Sequence, residues 1–170
     1  MKGIVTKVLI FAAAIAMIIA DQLTKQWAVN TLRGNPEGDL TAIPGLLEFT
    51  YLENSAAAMG LFAGMIWLVI ILGLVVAAGI VFAIFRYENH SWASNIASAL
   101  ILAGGIGNLI DRMVNVGPNG ERFVVDFIHV LFFPYIFNVA DCCVTAGAVF
   151  LGIHVIMCAW KERKLAGQKS

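Results

Sequence analysis

The chain has 170 residues, of which 60% are hydrophobic and 13% charged, and its mean hydropathy is +0.85. A soluble domain of this size cannot bury so much apolar surface, so the composition excludes an ordinary soluble globule and a disordered chain. Eleven Lys and Arg balance eleven Asp and Glu, which argues against nucleic acid as a partner. We expect one integral-membrane domain over residues 1–170.

Four apolar segments are long enough to cross the hydrocarbon core as helices. They cover about residues 8–28, 61–85, 91–110 and 140–160. The first has the charge layout of a secretory signal peptide, but a large residue, Ile18, stands where a cleavage site needs a small one. Three more spans follow it, so we expect a retained helix.

The distribution of Lys and Arg predicts the orientation of these spans. Both termini and the short link between spans two and three are predicted to be cytoplasmic because they are rich in basic residues. These residues are Lys2, Lys7, Arg86, Lys161, Arg163, Lys164 and Lys169. Two extracytoplasmic loops result, at about residues 30–60 and 111–139.

Both outer loops contain strand-like sequence. Residues 46–53 (LLEFTYLE) follow the breakers Pro44-Gly45, and residues 123–128 (FVVDFI) follow a turn-rich stretch. Aromatic and branched residues bounded by such breakers are typical of strands. The predicted fold class is therefore an all-α membrane protein with four transmembrane helices and a small extracytoplasmic β-sheet.

Several polar residues fall at membrane depth, where they usually face protein or water. Asp21 and Lys25 are spaced for a helical ion pair, although a surface pair at the end of span one explains them equally well. Gly104, Asn108 and Arg112 lie on one helical stripe. Close helix packing accounts for the glycine, and an interfacial anchor is an alternative for residues 111–112.

Two further acids suggest chemistry. Asp141 shares a helix face with Asn138 at the start of span four, and Asp126 lies within an apolar run. Each has a simple explanation alone, as a helix N-terminal acid or a loop acid. Together in an apolar site, two carboxyls share one proton and supply both a base and an acid. Peptide hydrolysis by such a pair needs neither a metal nor a cofactor.

Two other classes of function remain open on this reading of the residues. A proton- or ion-coupled transporter could use Asp21, Asp126 and Asp141 as a relay, although the inverted repeats typical of transporters are not visible. A non-catalytic membrane assembly subunit would explain the small-residue helix faces without any chemistry.

Five motifs occur in an order that resembles the bacterial lipoprotein signal peptidase (signal peptidase II) family. They are DQLTK at 21–25, NSAAA at 54–58, GGIGNLIDR at 104–112, VVDF at 124–127 and FNVAD at 137–141. Each motif is weak alone, but together they cover nearly the whole chain. The resemblance implies four helices with an outer β-cradle, in a multi-pass protein of the bacterial cytoplasmic (inner) membrane.

The resemblance also implies an aspartyl endopeptidase that cleaves prolipoproteins just before a diacylglyceryl-modified cysteine. Its catalytic pair corresponds to Asp126 and Asp141, near the extracytoplasmic face. The implied partners are the prolipoprotein signal helix, membrane lipid and globomycin-type inhibitors, with a monomer as the working state and no metal or cofactor. Substrate-binding or supporting roles correspond to Asp21, Lys25, Asn54, Gly104, Asn108, Arg112, Asn138 and Ala140.

The sequence departs from the family pattern in three places. Ala56 and Met59 stand where the family usually has Gly and Phe, the 113–122 loop is longer, and Cys142-Cys143 follow the second Asp. Nothing in the proposed chemistry requires a thiol there.

Overall fold

A computed structural model describes residues 2–35, 39–55, 65–86 and 91–167 of the chain. In these ranges the elements follow the order α1, β1, β2, α2, α3, β3, β4, α4. The helices are α1 (Lys2–Thr31), α2 (Ile66–Arg86), α3 (Trp92–Val114) and α4 (Val139–Gly167). The strands are β1 (Leu40–Ile43), β2 (Leu47–Asn54), β3 (Val124–Val130) and β4 (Ile136–Phe137). The predicted fold class is confirmed.

All four described helices are long and apolar enough to cross a membrane. Large apolar side chains on α1, α2 and α4 are exposed, as expected when lipid is the solvent. Helix α3 is the most buried of the four and packs against each of the others. Its central position explains why it can carry polar side chains that avoid lipid.

Small residues allow α3 and α4 to approach closely. A Cβ added at Gly104 would collide with the carbonyl oxygen of Ala140 on α4, and one at Gly147 would lie 2.6 Å from Cγ1 of Ile101. Glycine at these contacts lets the two backbones meet, which is a common basis of helix association in membranes.

The four described strands form one antiparallel sheet in the order β1-β2-β3-β4. One face of this sheet packs against the C-terminal end of α1 and the turn that follows it, where Ala28 and Leu32 form a buried cluster with Val125 and Phe127. Trp27 makes edge contacts with the rings of Phe49 and Phe127. This apolar contact fixes the sheet on the end of the helix bundle.

Some element boundaries differ from those predicted. Helices α1 and α4 extend beyond the predicted spans, and α3 continues to Val114, so Asp111 and Arg112 lie in its last turn rather than in a loop. Strands β2 and β3 lie close to the predicted segments, whereas β1 and β4 were not predicted. Residues 61–64 of predicted span two lie outside the described residues.

Candidate active site

Asp126 lies in the middle of β3, and the alternation of that strand explains its surroundings. Val125 and Phe127 point into the core against α1, while Val124 and Asp126 line a cavity on the other face. The side chain of Asp126 is almost completely buried, with 1% of the residue exposed. The apolar neighbours that predicted burial therefore belong to both faces of one strand.

A bulge in β2 decides which side chains accompany Asp126. Between Phe49 and Leu52, β2 advances three residues while β3 advances two. A regular ladder would place Tyr51 opposite Asp126, whereas the bulge places Leu52 there and moves Asn54 to the same face. The Asn54 side-chain amide donates to Oδ2 of Asp126 across 2.8 Å. The extra residue thus brings a polar partner to a buried carboxyl.

Asp141 is held by the way α4 begins. Asn138 precedes the first residue of α4, and its Oδ1 accepts a hydrogen bond from the backbone N–H of Asp141 across 2.9 Å. The backbone N–H of Asn138 donates in return to Oδ2 of Asp141 across 3.2 Å. This reciprocal pair has the pattern of a capping box, with a carboxylate at its third helical position. The capping geometry therefore fixes the orientation of the Asp141 carboxyl.

Asn138 also links Asp141 to Asp126. Its side-chain Nδ2 donates to Oδ1 of Asp126 across 2.6 Å. Asn108 on α3 supports the other carboxyl by donating to Oδ1 of Asp141 across 2.8 Å. Asn138 is completely buried, so it can orient the two carboxyls but cannot contact a substrate in this state.

A buried group of charges lies behind these amides. The Lys25 ammonium lies 2.9 Å from Asp21 Oδ2 and 3.2 Å from Asp111 Oδ2. It also donates to Oδ1 of Asn108 across 2.9 Å, which leaves the Asn108 amide nitrogen directed at Asp141. The pair Asp21–Lys25 is therefore buried between helices, and the surface-pair interpretation is wrong.

Asp111 was not among the predicted site residues, yet it joins this group. Its Oδ2 accepts from the backbone N–H of Val125, next to Asp126, across 3.0 Å, and its Oδ1 accepts from Gln22 across 2.9 Å. Only 3% of Asp111 is exposed, so the interfacial-anchor alternative is wrong for it. One signal was available in the sequence, because Asp111 follows Asn108 by three residues on the same helix.

Two glycines of α3, Gly104 and Gly107, make room for this arrangement. Oδ1 of Asp21 accepts a hydrogen bond from the backbone N–H of Ala140 across 2.8 Å. A Cβ at Gly107 would lie 2.6 Å from Asp21 Oδ2, and one at Gly104 would collide with the Ala140 carbonyl. The first turn of α4, which carries Asp141, can therefore approach α3 only because these positions lack side chains.

The two carboxyls share a cavity of about 930 Å³. Arg112 also lines it, and its Nη1 donates to the backbone oxygen of Asn108 across 3.1 Å. Aromatic and aliphatic side chains form much of the remaining wall, among them Leu52, Val124, Phe132, Phe133, Tyr135 and Phe137. Such a wall suits an apolar ligand with a few polar groups to orient it.

The environment of Asp126 keeps it protonated to unusually high pH. Burial is the main cause that raises its pKa to about 7, and the nearby negative charge of Asp141 acts in the same direction. Hydrogen bonds from Asn54 and Asn138 oppose this increase because they stabilise the charged form. Asp126 can therefore gain or lose its proton near neutral pH, as a carboxyl acting as an acid or a base must.

The structure brings the ten predicted site residues into one connected region. Nine of them contact one another through hydrogen bonds or ion pairs, and the tenth, Gly104, forms the close contact with Ala140 between α3 and α4. Among the described residues, no three His, Cys, Asp or Glu side chains converge as metal ligands. Cys142 is exposed and lines the cavity, and Cys143 is buried. Ala56 and Met59 lie outside the described residues.

Comparison with known proteins gives a consistent result. A profile of the family described as Signal peptidase (SPase) II matches residues 13–157. A lipoprotein signal peptidase of Lactobacillus gasseri is 33% identical, with 92% of this chain and 97% of the relative covered. One of Bacillus subtilis (strain 168) is 35% identical, with 92% and 98% covered.

Two solved structures, both described as a bacterial membrane enzyme, have similar folds. The first is 28% identical with a TM-score of 0.73, and covers 89% of this chain and 88% of that chain. The second is 29% identical with a TM-score of 0.72, and covers 88% and 92%.

Proposed function

The chain belongs to the signal peptidase II family, and we propose that Asp126 and Asp141 are its catalytic pair. The family is one of proteases, and its activity is the removal of signal peptides from lipoproteins. One observation carries the proposal for the pair: both carboxyls line one cavity, and Asn138 donates a hydrogen bond to each. The transporter and assembly-subunit alternatives do not agree with membership of a protease family.

The proposed substrate is a prolipoprotein whose signal helix lies in the bilayer and whose cysteine carries a diacylglyceryl group. Cleavage falls on the peptide bond just before that cysteine. The cavity supports this substrate because polar groups, including Arg112 and Asn54, lie beside a largely apolar wall. A lipid-modified peptide presents the same combination of a polar backbone and hydrocarbon.

The chemistry proceeds through one water molecule between the carboxyls. The ionised carboxylate takes a proton from the water while the water oxygen forms a bond to the carbonyl carbon of the scissile peptide. The protonated carboxyl donates its proton to the carbonyl oxygen, which gives a tetrahedral diol. When the C–N bond breaks, a proton passes to the leaving nitrogen, so the cysteine gains a free amino group and the signal peptide a carboxyl group.

The remaining polar residues position this pair. Asn138, Asn108 and Asn54 hold the carboxyl oxygens. The Lys25 ion pairs orient Asn108 from behind. Preorganised groups of this kind lower a barrier because they need not reorient during the reaction. Arg112 and Asn54 line the cavity and are the better candidates for contacting the substrate backbone.

The chain is a multi-pass bacterial membrane protein. We place both termini in the cytoplasm because the basic residues cluster there, which puts the sheet and the catalytic pair near the extracytoplasmic face. We also propose that the enzyme acts as a monomer in contact with membrane lipid, binds globomycin-type inhibitors and needs no cofactor.

The test is cleavage of a lipid-modified prolipoprotein by purified variants. Asp126→Asn and Asp141→Asn preserve side-chain shape but remove the acid-base function, so each is expected to lower kcat by about 10³-fold or more. Asp39→Asn, at an exposed acid, is the matched control and keeps wild-type activity. Substantial cleavage by either Asp126→Asn or Asp141→Asn would exclude this assignment.

A further inference from the structure

A second, smaller crevice lies between the membrane-spanning helices. It has a volume of about 310 Å³ and is lined by Val69 and Val76 of α2, Ile101 and Gly105 of α3, and Val144 of α4, among others. We propose that this crevice binds one acyl chain of the substrate's diacylglyceryl group during cleavage. This inference rests on the proposed function and adds a lipid-binding site to it.

The lining of the crevice favours hydrocarbon over peptide. Every described residue that lines it is Val, Leu, Ile, Ala or Gly. An extended peptide there would lose the hydrogen bonds of its backbone, at a cost of several kcal/mol per group in a non-polar medium. An acyl chain has no hydrogen-bonding groups along its length, so it does not meet this cost.

The depth of the crevice matches one leaflet. Its lining on α2 runs from Val69 to Ala77, which is about 12 Å along a helix axis. This is less than half of a hydrocarbon core of about 30 Å. The lining begins near the start of α2 and therefore lies in the half of the membrane next to the sheet. An acyl chain of a lipid-modified cysteine would occupy the same half.

The crevice and the catalytic cavity share a wall. Val144 lines both of them, and it lies three residues after Asp141 in α4, a rise of about 4.5 Å. The substrate's lipid is attached to the residue directly after the scissile bond. A chain leaving the catalytic pair therefore passes Val144 into the crevice. This continuity favours the substrate's own lipid over an unattached phospholipid.

Glycine positions provide a matched pair of variants. A Cβ added at Gly105, which lines the crevice, meets nothing within 4 Å, and the same is true of Gly79, which does not line it. Gly105→Leu should fill the crevice without a clash at its Cβ, while Gly79→Leu adds the same side chain elsewhere on the membrane-facing surface. KM is measured with lipopeptides that differ only in acyl chain length.

The expected result is selective for chain length. In Gly105→Leu, the ratio of KM for the long-chain to KM for the short-chain lipopeptide rises roughly tenfold, the loss expected when about two methylenes are no longer buried. In Gly79→Leu the ratio keeps its wild-type value. An unchanged ratio in Gly105→Leu overturns the proposal. Failure of the wild-type enzyme to cleave either lipopeptide overturns the proposed function itself.

A binding measurement separates the crevice from catalysis and from folding of the variant. A lipopeptide with a photoreactive group on one acyl chain is bound to the Asp126→Asn variant, which carries no other substitution. The complex is irradiated and the labelled residues are mapped. Labelling within 69–77 or 101–105 supports the proposal. Labelling elsewhere overturns it. The proposal is also overturned if a phospholipid that carries the same photoreactive group labels these residues equally well and an excess of lipopeptide does not reduce that labelling.

Discussion

Nδ2 of Asn138 lies 2.6 Å from Oδ1 of Asp126, although the two residues belong to different elements of the fold. Asn138 caps α4 and Asp126 lies in β3. The same residue therefore fixes the start of a membrane helix and the orientation of a buried carboxyl in a sheet. Separate substitutions can distinguish these two roles.

Asn138→Ser should retain the cap but lose the contact with Asp126. A serine oxygen still accepts from the Asp141 N–H, because Ser is as favourable as Asn at a helix N-cap. The missing donor is expected to lower kcat by up to about tenfold, corresponding to the loss of one buried hydrogen bond. The Tm of the variant should be measured together with its kinetics, to show that the protein is folded. A kcat equal to that of the wild type would exclude the positioning role.

Asp111→Asn should destabilise the protein. It removes one of two carboxylates that neutralise Lys25, both of them buried. Lys25 keeps its ion pair with Asp21, so the loss is that of the charge-assisted contacts of Asp111, about 1–3 kcal/mol, and Tm of the detergent-purified protein should fall by roughly 2–10 °C. Asp39→Asn serves as the exposed control. Equal Tm values for both variants would contradict a supporting role for Asp111.

The activity should decrease as the pH rises above about 7. Burial raises the pKa of Asp126 to about 7, so at higher pH the pair loses its shared proton and with it the general acid. Asn54→Ala removes a hydrogen bond that stabilises the ionised form, and so raises this pKa further. The descending limb of the kcat/KM profile should consequently move to higher pH in Asn54→Ala, and movement to lower pH would refute the assignment.

The stability should also depend on the protonation of Asp126. The unfolded chain releases this proton near the model-peptide pKa of 3.8, whereas the folded protein keeps it to about pH 7. Folding is therefore favoured at the acidic end, and that contribution is lost as pH rises between these values. Between about pH 5 and about pH 8, the Tm of the wild type should therefore fall more than the Tm of Asp126→Asn, because the asparagine cannot ionise.

Gly104→Ala should disturb the contact between α3 and α4. The added methyl group would collide with the carbonyl oxygen of Ala140, whereas a methyl group at the adjacent Gly105 meets nothing within 4 Å. Gly104→Ala is expected to cost about 1–3 kcal/mol through overpacking and to lower kcat, since Asp141 lies in the displaced turn. Gly105→Ala is the neighbouring control, and equal Tm values for the two would argue against close packing at Gly104.

The parts of the fold that were predictable depend on strong, local signals. The spans follow from long apolar runs, and β2 and β3 follow from aromatic and branched residues next to turns. Strands β1 and β4 have four and two residues, too short for a recognisable pattern. The ends of α1 and α4 are polar enough to resemble loops, although they continue the helices beyond the hydrocarbon.

The site was predictable as a set of residues but not as a network. Sequence spacing placed Asn138 and Asp141 on one helix face, yet no spacing rule brings Asn138 to Asp126 through the intervening β4 segment. The β2 bulge is equally hidden, although it decides that Asn54 rather than Glu53 joins the site. Asp111 was missed because its spacing from Asn108 is the one signal for it, and an acid in the last turn of a span otherwise looks the same whether it faces lipid headgroups or a buried lysine.

The role of Asn138 at the head of α4 has a consequence for biogenesis. The amides and carboxyls that meet there come from α3, from β3 and from the start of α4, which follows both of them in the chain. A nascent chain with three inserted segments lacks one carboxyl and the cap that aligns the other. If Asp126 and Asp141 are the catalytic pair, as proposed, a chain that has inserted only α1 to α3 is expected to be inactive, and activity begins when α4 joins them.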